Sequence, residues 1–114
     1  KEKNISLICL AGYMKILKKN FFNRFNGKII NIHPSLLPKY KGLNTFTRIL
    51  KFKEKITGCT IHHVSSELDS GLVILQKKVF IDQYDNEKSL RAKVQKVEYK
   101  AYAEAIIKLF RTSL

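Results

Sequence analysis

Two short stretches of the chain hold side chains from which a reaction could be built. Asn31-Ile32-His33-Pro34-Ser35-Leu36-Leu37-Pro38 sets a carboxamide and an imidazole two residues apart, and Glu67-Leu68-Asp69-Ser70-Gly71 offers a carboxylate in a turn. The apolar residues Ile29, Ile30 and Ile32 predict a strand. Positions two apart on a strand face the same side, so Asn31 and His33 converge on one spot. Pro34 ends that strand, because its ring fixes φ, disfavours helix at His33 and removes an N–H from the ladder. A strand that ends in polar groups and opens into a Pro-rich loop is how open α/β sheets build sites at their carboxyl edges. There His33 could polarise a carbonyl and hold the oxyanion that forms, with Asn31 as a second donor. One such donor is typically worth about 2.7–4 kcal/mol in the transition state. Asp69 near the imidazole would favour its charged form and could relay a proton, a role typically worth about 10²–10⁴ in rate. No Ser or Cys with an evident base partner competes as nucleophile. The chemistry reads as direct acyl transfer to an incoming amine, without a covalent enzyme intermediate.

Taken singly, these residues also admit plainer readings. A His at a strand end is as well explained by a structural hydrogen bond, and Asp69-Ser70-Gly71 by an ordinary turn. His62 and His63 point to opposite sides of their strand. His62 shares its face with Thr60 and Val64, the pattern of core or pocket wall, and no third ligand accompanies it to suggest a metal. Gln95, Glu98 and Tyr102 form a polar ridge at helical spacing, which by itself describes a solvated helix face.

The elements that must position these groups alternate. Ile5 to Leu10 is a continuous apolar strand followed by a loop at Gly12-Tyr13-Met14-Lys15. Lys18 to Phe25 predicts a short helix closed by Asn26-Gly27, and Lys28 to Ile32 the next strand. Strand, helix, strand at this spacing is the right-handed βαβ unit of a parallel sheet. After a loop over residues 36–43, Asn44 or Thr45 caps a helix to about Phe52. Gly58 to Ser65 and Gly71 to Ile81 then read as an antiparallel pair. A final helix, capped by Asp85 or Asn86 with Glu87 in its first turn, runs to about Phe110. Its apolar stripe is Leu90, Val94, Val97, Ala101 and Ala105. No repeat or linker divides the chain, so residues 1–114 form one α/β unit. The chain starts at Lys1, and its first strand reads as buried, which requires neighbours on both sides. The expectation is a domain whose N-terminal portion is missing.

At 114 residues and 45% hydrophobic content, the chain suits one globular domain with a modest core. Its apolar runs fall well short of the roughly 18–20 residues that span a membrane, and no signal segment is present. Cys9 and Cys59 have no partner at CxxC spacing and read as buried, reduced thiols of a cytoplasmic protein. The net charge of +13 raises the question of nucleic acid. The basic residues are mostly Lys spread end to end, without an Arg-rich stripe or an aromatic platform, which argues against it. A general attraction for anionic, phosphorylated ligands is what such a charge supplies.

Asn31 to Tyr40 and Glu67 to Gly71 together resemble the folate-dependent formyltransferases, above all those that formylate glycinamide ribonucleotide. Leu10-Ala11-Gly12-Tyr13-Met14-Lys15-Ile16-Leu17, Val73-Ile74-Leu75-Gln76 and Val94-Gln95-Lys96-Val97-Glu98 support this, and the similarity covers nearly the whole chain in order and distance. The resemblance implies a Rossmann-like three-layer fold with a partly parallel sheet. It implies transfer of a formyl group from 10-formyltetrahydrofolate to the amine of glycinamide ribonucleotide, in purine biosynthesis, with no metal. His33 would act on the formyl oxygen, Asn31 beside it, and Asp69 in proton transfer. Met14, Lys15, Ile16 and Leu17 would line the folate pocket, with Phe22, Ile29, His62 and Val64 as further walls. Gln95 and Glu98 would bind the ribose of the nucleotide.

The chain also departs from the family pattern. Lys15 stands where Arg is usual, keeping the charge but losing the planar fork. Asn44 and Phe46 stand where His is common, Ser70 replaces a Gly, and Leu72 replaces a Pro. The family's N-terminal strand and Gly-Ser-rich phosphate loop are absent, so the 114 residues alone are expected to be inactive and poorly folded. Formyltetrahydrofolate hydrolase is a rival, but Pro34 and Gly12 stand where it has His and Arg. Methionyl-tRNA formyltransferase is another, but Lys41-Gly42-Leu43-Asn44-Thr45 replaces its Arg-Gly-Ala-Ala-Pro. A basic nucleic-acid-binding module or an inactive remnant is the alternative from outside the enzymes.

Overall fold

The computed structural model describes residues 7–11, 28–64 and 72–113. Among these residues four strands form one sheet in the order β1 (Leu7–Ala11), β2 (Lys28–His33), β3 (Ile56–His63), β4 (Val73–Phe80). β1 and β2 run parallel, with Leu7 opposite Lys28 and Ala11 opposite Ile32. β3 is antiparallel to both β2 and β4, so the sheet is mixed. Among the described residues two helices accompany it: α1 (Thr45–Lys51) and α2 (Glu87–Ser113). The helix expected over residues 18–25 lies outside the described residues, as do the first two residues expected for β1. The antiparallel pair is as predicted. β3, however, begins two residues early, because Ile56 and Thr57 already pair with Phe80 and Val79.

The sheet has two unlike faces. Ile30 and Ile32 of β2 and Cys59 and Ile61 of β3 point to one of them and are buried. α2 covers that face with Leu90, Val94, Ala101, Ala105 and Leu109; of the predicted stripe Val97 is only partly buried against it, and Leu109 extends it by one turn. α1 adds Phe46 and Ile49 to the same cluster. Fully burying an aliphatic side chain of this size contributes about 1.5–3 kcal/mol, so Ile30, Ile49, Ile61 and Leu90 anchor the layer.

Capping fixes where α2 begins. Asn86 Oδ1 accepts from the Ser89 N–H while Ser89 Oγ accepts from the Asn86 N–H, both at 2.9 Å, a reciprocal capping box. α1 starts differently. Asn44 is its N-cap residue but sits in the left-handed region (φ 56°) and makes no side-chain cap bond. Thr45 Oγ1 instead donates to the Gly42 carbonyl at 3.2 Å.

Candidate active site

Asn31 and His33 occupy the face of β2 opposite the helices, two residues apart, as the strand's period requires. Both are buried, His33 completely. Antiparallel pairing sets His62 opposite Asn31 and Thr60 opposite His33, and residues opposite each other share a face. Four polar side chains are thus gathered at the β2–β3 seam.

Each ring is held in one tautomer. His33 Nε2 lies 2.8 Å from the Tyr40 carbonyl. A carbonyl only accepts, so Nε2 carries the proton and the neutral ring keeps its lone pair on Nδ1. His33 offers a second N–H only as imidazolium. His62 Nδ1 donates to the His63 carbonyl at 2.9 Å, so its Nε2 is an acceptor, and the Asn31 amide nitrogen lies 3.4 Å from it. His62 therefore sets which way the Asn31 carboxamide faces.

The segment after His33 is tied down as tightly. Ser35 Oγ donates to the Lys39 carbonyl at 2.6 Å, the Lys39 N–H to Leu36 at 3.1 Å, and the Tyr40 hydroxyl to Glu54 at 2.7 Å. Burial, then the bond to Glu54, pushes the Tyr40 phenol above its ordinary value of 10.0, so it remains a donor at neutral pH. Thr60 Oγ1 donates to the Ser35 carbonyl and accepts from the Leu37 N–H. Thr60 and the Tyr40 carbonyl could not be read as site components from the sequence. Their part depends on strand register and on how a loop folds back.

Of the expected folate wall, Ile29, His62 and Val64 meet on the Asn31 face. The Val64 N–H donates to the Ile29 carbonyl at 2.8 Å, and Ile29 is buried. Met14, Lys15, Ile16, Leu17, Phe22 and Asp69 lie outside the described residues. Gln95 and Glu98 sit on α2, which packs against the other face of the sheet. Gln95 is exposed and Glu98 is half-buried. Burial raises the Glu98 carboxyl above its ordinary value of 4.5. The buried Cys59 thiol is pushed up to about 11, chiefly by burial and then by Glu98, which sets Glu98 toward the helix side of β3. Tyr102, on the same ridge, reaches the Ile30 carbonyl of β2 at 3.4 Å. The ridge is therefore not a freely solvated face, and it approaches β2 from the side opposite Asn31. Phe46, at a position where the family commonly has His, is core, with the Arg91 guanidinium 5.0 Å above its ring.

A family model described as formyl transferase matches residues 1–106. The chain belongs to the formyl transferase family. It is 48% identical over 106 residues to phosphoribosylglycinamide formyltransferase of Haemophilus influenzae, covering 93% of this chain and 50% of that protein. It is 42% identical over 105 residues to the trifunctional purine biosynthetic protein adenosine-3 of Gallus gallus, covering 92% of this chain and 10% of that protein. The formyl transferase fold is equally evident in three dimensions. The crystal structure of phosphoribosylglycinamide formyltransferase from Bacillus halodurans superposes with a TM-score of 0.88 at 36% identity, over 96% of this chain and 57% of that one. This chain thus spans about half the length of the single-activity formyl transferases it matches. Its mixed sheet and two helices are the corresponding part of the Rossmann-like fold.

Proposed function

We propose that this chain carries the catalytic strand of a phosphoribosylglycinamide formyltransferase, which moves a formyl group from 10-formyltetrahydrofolate to the amine of glycinamide ribonucleotide. The observation that carries this reading is the buried Asn31–His33 pair at the end of β2, each held by a partner that fixes its hydrogen-bonding sense. The folate co-substrate supplies a formyl group already bonded to nitrogen. As the amine attacks the formyl carbon, negative charge grows on the formyl oxygen, and N–H donors from Asn31 and imidazolium His33 meet it there. Because Nε2–H is committed to Tyr40, the proton given to that oxygen comes from Nδ1, so the charged ring is the working form. Asp69 is assigned to favour that charge and to carry the proton from the attacking amine toward the departing folate nitrogen. Met14 to Leu17, Phe22, Ile29, His62 and Val64 are assigned to the folate pocket, and Gln95 and Glu98 to the ribose.

A half-buried carboxylate supports the ribose assignment. Burial raises the Glu98 carboxyl above its ordinary value, and perturbations of this kind gather at functional sites. The pathway is proposed as purine synthesis in the cytoplasm. The diffuse lysine charge would draw phosphorylated substrates, with nucleic acid not a partner.

The test uses the complete gene product with 10-formyltetrahydrofolate, following tetrahydrofolate by absorbance and the formylated nucleotide by mass. Turnover is expected only when glycinamide ribonucleotide is added. Formate release without any amine would make the protein a hydrolase. Formylation of methionyl-tRNA in place of the nucleotide would move it to that branch.

A further inference from the structure

Thr60 and Gln76 lie on β3 and β4, outside the catalytic group, yet their hydrogen bonds converge on the segment that orients His33. The Thr60 hydroxyl, fully buried, donates to the Ser35 carbonyl at 2.7 Å and accepts from the Leu37 N–H at 3.0 Å and the Gln76 amide at 3.0 Å. A hydroxyl has one hydrogen and two lone pairs, so its capacity is filled. The same Gln76 nitrogen donates to the Leu37 carbonyl at 2.9 Å. Both backbone groups of Leu37 are therefore held by this pair of side chains, though the segment belongs to no strand. Three residues on, the Tyr40 carbonyl takes the His33 Nε2–H. A strand fixes where the His33 backbone lies, but only this loop fixes where that carbonyl lies. Cross-strand register brings the two residues together, because Thr60 is opposite both His33 on β2 and Gln76 on β4.

We infer that Thr60 and Gln76 are positioning residues for formyl transfer, a clamp that holds Ser35 and Leu37 so that the Tyr40 carbonyl fixes the His33 ring. Neither touches the reacting atoms. They act through the loop on the tautomer and orientation of the imidazole. The inference rests on the formyl-transfer reading for its kinetic consequence, but not for its structural one.

The experiment compares Gln76→Ala, Thr60→Val and Thr60→Ser in the complete gene product. Its readouts are kcat, KM for both substrates, thermal stability, and exchange of the His33 Nε2 proton in ¹⁵N-detected NMR. Gln76 is exposed, so its truncation leaves the core intact and still removes two bonds to the clamp. Gln76→Ala and Thr60→Val are expected to lower kcat about 10- to 100-fold, since about 1 Å of misplacement can cost about 10² in rate. KM should stay within about twofold, and the Nε2 proton should exchange faster. Thr60→Ser, which keeps the hydroxyl, should restore both kcat and protection. The clamp is overturned if Gln76→Ala leaves kcat and Nε2 protection as in the parent, whatever Thr60→Val does to folding. Should the parent show no formyl transfer at all, the functional reading fails separately. Nε2 exchange in Gln76→Ala then still decides the clamp, faster exchange upholding it and unchanged exchange refuting it.

Discussion

His33→Gln and His33→Ala, compared side by side, separate the two jobs given to one imidazole. The ring braces the loop through Nε2 and, when charged, presents a donor through Nδ1. Alanine removes both. It strands the part-buried Tyr40 carbonyl, which costs at most about 1–3 kcal/mol before the cavity left by a fully buried ring is counted. On the proposed mechanism it also removes one transition-state donor, worth about 2.7–4 kcal/mol, or about 10²–10³ in kcat. Glutamine restores only the first, because its amide nitrogen falls near the position of the ring Nε2 while nothing replaces Nδ1. Steady-state formyl transfer and thermal melting are measured on both variants, with folate affinity by fluorescence. The expected result is a glutamine variant that regains most of the lost melting temperature, binds folate as the parent does, and still turns over about 10²–10³ times more slowly. A glutamine variant with near-parental kcat would show that the ring only supports the loop. An equal loss of folate affinity would show that it shapes the pocket instead of the transition state.

Glu98→Ala should raise KM for the nucleotide more than for folate; the reverse order would refute the ribose assignment. Burial raises the Glu98 carboxyl, so the folded state holds its proton more tightly than the unfolded state. Its penalty on stability thus grows as pH rises from the ordinary 4.5 through the folded value. Glu98→Gln should remove that part of the decline in a pH series of melting curves. Lys93→Met should do the opposite at the acid end. The bond from Lys93 at 2.6 Å is the largest cause holding Asp85 below its ordinary value, and the stability so gained is lost as pH falls through the folded value. Acid unfolding should then begin at higher pH. Gly58→Ala should destabilise by about 3 kcal/mol or more in denaturant titration, the upper end for overpacking. A Cβ there would run into the Lys77 carbonyl oxygen on β4 and come within 2.8 Å of the Leu36 side chain. Asp69→Asn should lower kcat by orders of magnitude with little change in folate affinity; parity with the parent would remove Asp69 from the proton path.

The sequence by itself determined the order of the described strands and helices from Lys28 onward, the common face of Asn31 and His33, and the stripe that seats α2. Each of these follows from a local period, two residues along a strand or three to four along a helix, which any reader of the chain can count. The Asn86 cap was legible for the same reason, since its partner Ser89 is three residues away. Only the tertiary structure decided that His62 is a neighbour of Asn31, and that Thr60 and Gln76 grip the loop after His33. Those contacts join residues 16 to 39 positions apart. Their existence depends on β-pairing register, where a slip of one residue would turn every one of these side chains to the other face. The position of Tyr40 shows the same division. Its type suggested nothing about catalysis, because what serves His33 is its backbone carbonyl, a group that every residue carries and only the folded loop can aim.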